Sequence, residues 1–302
     1  MISVTILGNN SALANHGRHP TAQIVTGRNS TFLLDCGEGT SMQMKRYDIK
    51  AAKVDHVLIS HLHGDHYFGL AGLLNYYRLS YRERPLHVYA PEMLEAIINL
   101  QMRAAGADLY CPLHFHPLGK NGRVMETDDL TVDCFQVKHG IPCWGFLFRE
   151  KHGEYHVDAE KALSMGVPRQ ALAILREEGQ YVTDSGRRIT LQDIAVEALP
   201  PTSYAYTADT IYDPGLCGIL RGVDLLYHDS TYQESHRHKA MATGHSTAME
   251  AARIAKEASV GKLLLGHYSS RYVETAPFQQ EAASIFPHVE ASMEGVTYPA
   301  RG

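Results

Sequence analysis

The chain has a single tryptophan, no C-x-x-C pair, and no apolar run near the roughly 18 residues that a membrane-spanning helix needs. Its five cysteines (Cys36, Cys111, Cys134, Cys143 and Cys217) are odd in number and widely spaced. That argues against a disulfide framework and against a thiolate zinc site, and it reads as reduced thiols filling a core. The opening MISVTILGNNSALANHG lacks a basic region followed by a long apolar stretch, so a cytoplasmic protein without a secretory signal is expected. There is no low-complexity tract, charge block or fixed-period repeat. A basic excess is also missing: 28 Lys+Arg stand against 33 Asp+Glu, a net charge of −5. Any nucleic-acid role must therefore use a local patch. What is abundant is histidine, 18 in 302 residues, the first sign of metal chemistry.

The length predicts one large domain with a small excursion. Residues 1–60 read as β-rich, with a strand at 3–7 and a hairpin of 22–26 and 31–34 around the turn 27–30. Strands at 54–60, 86–89, 131–137, 144–148, 203–207, 224–227 and 262–265 alternate with helices at 68–78, 91–105, 213–220, 246–258 and 277–286. This pattern predicts a layered α/β domain with two sheets at its centre and helices outside. Residues 150–198 differ: two short helical pieces and a polar turn at 183–188 read as an inserted, projecting arm, leaving 1–149 and 199–302 as the core. The arm has six basic residues against nine acidic ones, so it is not basic overall.

The strongest chemical signal is His61-Leu62-His63-Gly64-Asp65-His66, directly after a predicted strand. His61 and His63 are two apart, so an extended backbone points both rings the same way. Gly64 permits a turn, and Asp65 and His66 then open a helix. Imidazole and carboxylate together suit zinc, and also manganese or iron. Three later residues, His139, Asp209 and His267, each follow a predicted strand, the rim where α/β sites gather. Asp35 and Glu38 are candidates to orient metal-binding histidines. His114 and His116 form a second H-x-H with no Asp-His after it and read as strand residues. His56 reads as packed, the Tyr76–Tyr77 pair as packing or interface, and His236 and His238 as solvated in a polar loop.

These segments resemble the metallo-β-lactamase superfamily and, more narrowly, the ribonuclease Z family. LGNNSALANHGRHPTAQ, LLDCGEGTSMQMKR, ISHLHGDHYFGLAGLL, GHSTA and LLLGHYSSRY carry the likeness through nearly the whole chain. The resemblance implies a four-layer αββα sandwich, usually dimeric, with an arm that grips the tRNA elbow. It implies that His61, His63 and His139 bind one zinc, that Asp65, His66 and His267 bind a second, and that Asp209 bridges them. His245 of GHSTA would lie beside the scissile phosphate. Two departures stand out: Ala208 where the family usually has Gly before the bridging Asp, and no Gly-Pro pair after GVP in the arm.

The implied reaction is hydrolysis of precursor tRNA on the 3′ side of the discriminator, leaving a 3′-hydroxyl. Two divalent ions would activate a water, Asp65 would take its proton, and His245 would protonate the leaving oxygen. A plainer reading makes Ser246 the cap of the next helix and His245 a surface residue. The competing function is a small-molecule hydrolase on the same scaffold: a phosphodiesterase, lactonase or thioesterase.

Overall fold

The computed structural model describes residues 1–153 and 155–301. These fall into two compact units: residues 2–150 with 202–302, and residues 151–201 together with Met1. No described helix is long and apolar enough to cross a membrane.

The larger unit is built on two seven-stranded sheets. The first runs, edge to edge, Thr297–Pro299, Ser3–Gly8, Ala22–Thr26, Thr31–Leu34, His56–Leu58, Leu86–Ala90, Leu113–Pro117. The second runs Val289–Ala291, Lys262–Gly266, Leu225–Asp229, Ser203–Tyr206, Cys143–Glu150, Leu130–Val137, Gly122–Glu126. Both follow one plan. Antiparallel strands come first, then three more strands are added in parallel through crossovers. Parallel strands require crossover connections, and these put helices on the outer faces.

Period-two alternation sorts the side chains into layers. Phe32, Leu34, Val25 and Leu58 of the first sheet enter one buried cluster with Val132, Phe146, Phe148 and Tyr204 of the second. Their sequence neighbours Leu33, Ile24 and Val57 join a second cluster with Leu70, Leu73, Leu94 and Ile98 from the helices Leu70–Leu79 and Met93–Ala104. Each sheet is thus apolar on both faces, which is what a four-layer sandwich requires. The hairpin 22–26/31–34 has the predicted bounds. The predicted helix at 213–220 is instead a 3₁₀ turn, Pro214–Cys217, where Pro214, Gly215 and Gly218 oppose a longer helix. His236 ends a 3₁₀ turn and His238 lies on the helix Arg237–Thr243 rather than in a loop.

The smaller unit has its own core of Val167, Leu175, Ile189 and Ile194. Two short antiparallel ladders, Tyr155–Val157 with Ala195–Ala198 and Gln180–Val182 with Arg188–Thr190, frame it. Asp158 caps one of its helices, and Thr190 with Asp193 forms a capping box on another.

Candidate metal centre and active site

The site forms where the strand ends of both sheets meet. Asp35 follows Thr31–Leu34, and Ser60 to His66 follow His56–Leu58. His139, Asp209, Asp229 and His267 end or follow strands of the second sheet. Two of these backbones, and that of Ala208 just before Asp209, are strained: Asp35, Ala208 and His267 have φ of 53°, 54° and 62°, a left-handed conformation that non-glycine residues rarely adopt. At Ala208 a glycine would be free of strain, whereas alanine costs about 1 kcal/mol there. Gly64 does not turn the chain by a positive φ; it begins the helix Gly64–Tyr67, and a Cβ there would lie 2.2 Å from the Phe68 ring.

The seven predicted ligand residues come together. His63 Nδ1 lies 3.1 Å from both His61 Nε2 and His139 Nε2. Asp209 Oδ2 is 3.6 Å from His61 and 3.8 Å from His139. Asp209 Oδ2 is also 3.3 Å from His66 Nε2, and its Oδ1 is 3.3 Å from His267 Nε2. Asp65 Oδ2 lies 3.6 Å from His66 and 3.4 Å from His267. Donors about 2.0–2.1 Å from a tetrahedral ion stand about 3.3–3.4 Å apart, so this spacing suits zinc-type coordination. Asp209 Oδ1 is buried and accepts no hydrogen bond, as expected of an oxygen meant for a cation. Asp209, Asp229, His245 and His267 also lie close together, but the Asp229 oxygens are already taken up by hydrogen bonds.

The surrounding bonds fix which nitrogen of His66, His139 and His267 faces inward. Asp35 is fully buried and accepts from Ser60 N, Ser60 Oγ and Tyr206 OH. It also holds His66 Nδ1 at 2.8 Å, which turns Nε2 to the centre. His139 Nδ1 donates to the Gly244 carbonyl, and His267 Nδ1 meets Thr231 Oγ1. Thr231 in turn donates to Asp229 Oδ1. Glu38 is exposed on the cleft rim and has no such role. Exchanging Asp35 for Asn should lower metal affinity about 10- to 100-fold, measured by competition with a chromophoric chelator.

The electrostatics follow from this crowding. Burial and the neighbouring imidazoles push His61 well below its usual range, and His63 is lowered for the same reasons. Burial also opposes charge on His66, but Asp209, Asp65 and Asp35 outweigh it and raise that ring well above its usual value. His245 is subject to the same contest: burial lowers it, while the Asp229 carboxylate, 2.9 Å from Nδ1, raises it to about 9. Asp229 and Thr231, which bond His245 and His267, were not singled out by the sequence; Asp229 ends the strand Leu225–Asp229 and Thr231 lies two residues beyond it, and neither belongs to a motif. Ser246 is not the helix cap. It donates to the Thr210 carbonyl, and Thr247 caps Ala248–Glu257 in a capping box with Glu250. His245 lines a cleft of about 480 Å³ with His63, Asp65, Phe68 and His267.

The similarities to known proteins agree with this geometry. Residues 2–171 match the family model described as Anti-Pycsar protein Apyc1. A ribonuclease Z of Parabacteroides distasonis is 38% identical over 295 residues, 97% of each chain. A ribonuclease Z of Cytophaga hutchinsonii is 39% identical over 301 residues, 97% of this chain and 94% of that one. Among solved structures, the short form of human tRNase Z superposes with a TM-score of 0.71 at 22% identity, covering 99% of both chains. With a divalent-metal site of histidines and aspartates on a metallo-β-lactamase fold, and relatives that run its full length, the chain belongs to the ribonuclease Z family.

Proposed function

We propose that this protein is a metal-dependent endoribonuclease that cleaves precursor tRNA on the 3′ side of the discriminator and leaves a 3′-hydroxyl. The observation that carries this reading is the convergence of seven ligand-type side chains, in a chain whose full-length relatives are ribonucleases Z. His61, His63 and His139 would hold one divalent ion, Asp65, His66 and His267 a second, and Asp209 would touch both; zinc suits these donors best, with manganese or iron(II) also accepted. Such ions supply the positive charge that makes water a nucleophile at neutral pH and offsets charge building on the phosphate.

The rest is done by the chain. Asp65 is engaged through Oδ2, which also accepts the Ala12 N–H at 2.7 Å, so its second oxygen is the one to take a proton from the attacking water. As the bond from phosphorus to O3′ breaks, that oxygen becomes strongly basic. His245 is anchored through Nδ1, which leaves Nε2 to donate the proton. The small-molecule hydrolase reading is set aside because the full-length relatives are ribonucleases Z. The test is to incubate zinc-loaded protein with precursor tRNA and map the ends. A 3′-hydroxyl after the discriminator supports the reading; cleavage of a nitrophenyl phosphodiester alone overturns it.

Residues 150–198 would serve as the tRNA-gripping arm of a cytoplasmic homodimer. Replacing 155–198 by a short Gly-Ser linker should lower kcat/KM on precursor tRNA at least about 100-fold while changing turnover of the nitrophenyl ester less than about threefold. If phosphates are gripped, tRNA affinity should also fall steeply with salt. A flat salt response in a filter-binding titration would speak against the arm.

A further inference from the structure

The convergent ligands are divided between the two sheets. His61, His63, Asp65 and His66 follow a strand of the first sheet, and His139, Asp209 and His267 follow strands of the second. Apolar packing between the sheets is non-directional, so it does not by itself set where Asp209 stands against His66. A buried polar contact crosses between them. Tyr206 ends the strand Ser203–Tyr206, three residues before Asp209, and donates its hydroxyl to Asp35 Oδ2 at 2.6 Å. Asp35 follows the strand Thr31–Leu34 of the first sheet. The same Oδ2 stands 2.8 Å from His66 Nδ1 and accepts from Ser60 Oγ at 2.9 Å. With its one proton given to Asp35, Ser60 Oγ can accept from His61 Nδ1, 3.0 Å away. A single buried carboxylate therefore reaches one ligand of each expected set.

We propose that Tyr206 is a positioning residue that braces the metal centre across the two sheets. By holding Asp35 it sets His66, and through Ser60 also His61, against Asp209. This rests on the reading of the seven side chains as a two-ion centre. A hydroxyl bonded to a buried carboxylate is charge-assisted, and 2.6 Å lies in the short range of such bonds. The ring has no room to swing the hydroxyl away. Tyr206 is buried, opposite Tyr227 on one neighbouring strand and Phe146 on the other, both buried as well. The Tyr227 ring centroid stands 5.5 Å from its own. Tyr204 supplies an internal comparison. It is two residues earlier, on the same face of the strand and equally buried, but its hydroxyl is bonded to Gln23.

The test titrates metal-free full-length protein with cobalt(II), with affinities read by chelator competition. Tyr206→Phe removes only the hydroxyl. It should weaken at least one of the two bound equivalents about tenfold, on the scale of losing a partner that orients a ligand, and should shift the visible absorption bands of the cobalt form. Tyr204→Phe loses a buried hydroxyl from the same strand and should match the unaltered protein in both affinity and spectrum, which separates positioning from a general loss of stability. Tyr206→Leu takes the place of Tyr206→Phe if that variant does not fold. A folded Tyr206 variant with unchanged affinity and spectrum, or a Tyr204→Phe protein altered as much as Tyr206→Phe, would overturn the role of Tyr206. An unaltered protein that takes up no divalent ion would instead overturn the metal centre itself.

Discussion

Exchanging Asp209 for Asn is expected to remove bound metal and cleavage together. Asp209 is buried and stands within 3.3–3.8 Å of four imidazoles, His61, His139 and His66 through Oδ2 and His267 through Oδ1, two from each expected ligand set, so it is the one carboxylate common to both halves of the centre. The neighbouring imidazoles, His267 and His66 foremost, hold it well below the usual carboxylate range despite burial, so it is anionic near neutral pH. Asparagine keeps the volume and removes the charge that balances two cations. Elemental analysis should fall from two metal equivalents to one or fewer, and turnover of a phosphodiester should fall at least about 10³-fold, on the scale of losing preorganised charge at a reacting group. Metal bound only to the folded state also stabilises it, by about 4 kcal/mol at a thousandfold excess over its dissociation constant. The variant, or the unaltered protein after chelation, should therefore melt several degrees lower. An Asn variant that keeps two equivalents and full turnover would remove Asp209 from the centre.

Most of this centre was legible before any coordinates because its densest part is contiguous. His61 to His66 follow a short strand, and local backbone geometry alone sends several donors to one side. His139, Asp209 and His267 were reachable by a second rule, their position just past apolar strands. The partners that orient the ligands were legible only in part. Asp35 drew notice for lying in the DCGEGT segment, but that it pairs with His66 rather than with another ring depends on the register between the strands Thr31–Leu34 and His56–Leu58. Asp229 was not legible. Its role arises because the parallel pairing of Leu225–Asp229 with Ser203–Tyr206 brings it beside Thr210, while the chain returns through His245 sixteen residues later. In the fold, the long apolar strands and the helix Ala248–Glu257 were plain. The strands Gly122–Glu126, Val289–Ala291 and Thr297–Pro299 were missed because three to five residues carry too little periodicity, and the sheet partner supplies the order. The helix Thr40–Arg46 was missed because it is short, polar and begins after a left-handed Gly39 rather than a capping side chain.

His245→Ala should behave in the opposite way to the Asp209 variant: metal stays and chemistry goes. His245 is not one of the seven convergent ligands, and its Nδ1 is committed to Asp229. Deleting a general acid that protonates an alkoxide-like leaving oxygen costs about 10²–10⁴-fold in kcat. The loss should shrink for a substrate whose leaving group is a nitrophenolate, because that oxygen needs no proton to depart. The pH profile supplies the independent sign. An acid with pKa about 9 is protonated throughout the neutral range, so kcat should hold to high pH and fall as pH rises through about 9. In Asp229→Asn the carboxylate that raises His245 is gone while the burial that lowers it remains. The descending limb should then move down by two units or more, and activity at pH 8 should fall with it. A limb that stays near 9 in Asp229→Asn, or a His245→Ala enzyme equally impaired on both leaving groups, would show that the proton comes from elsewhere.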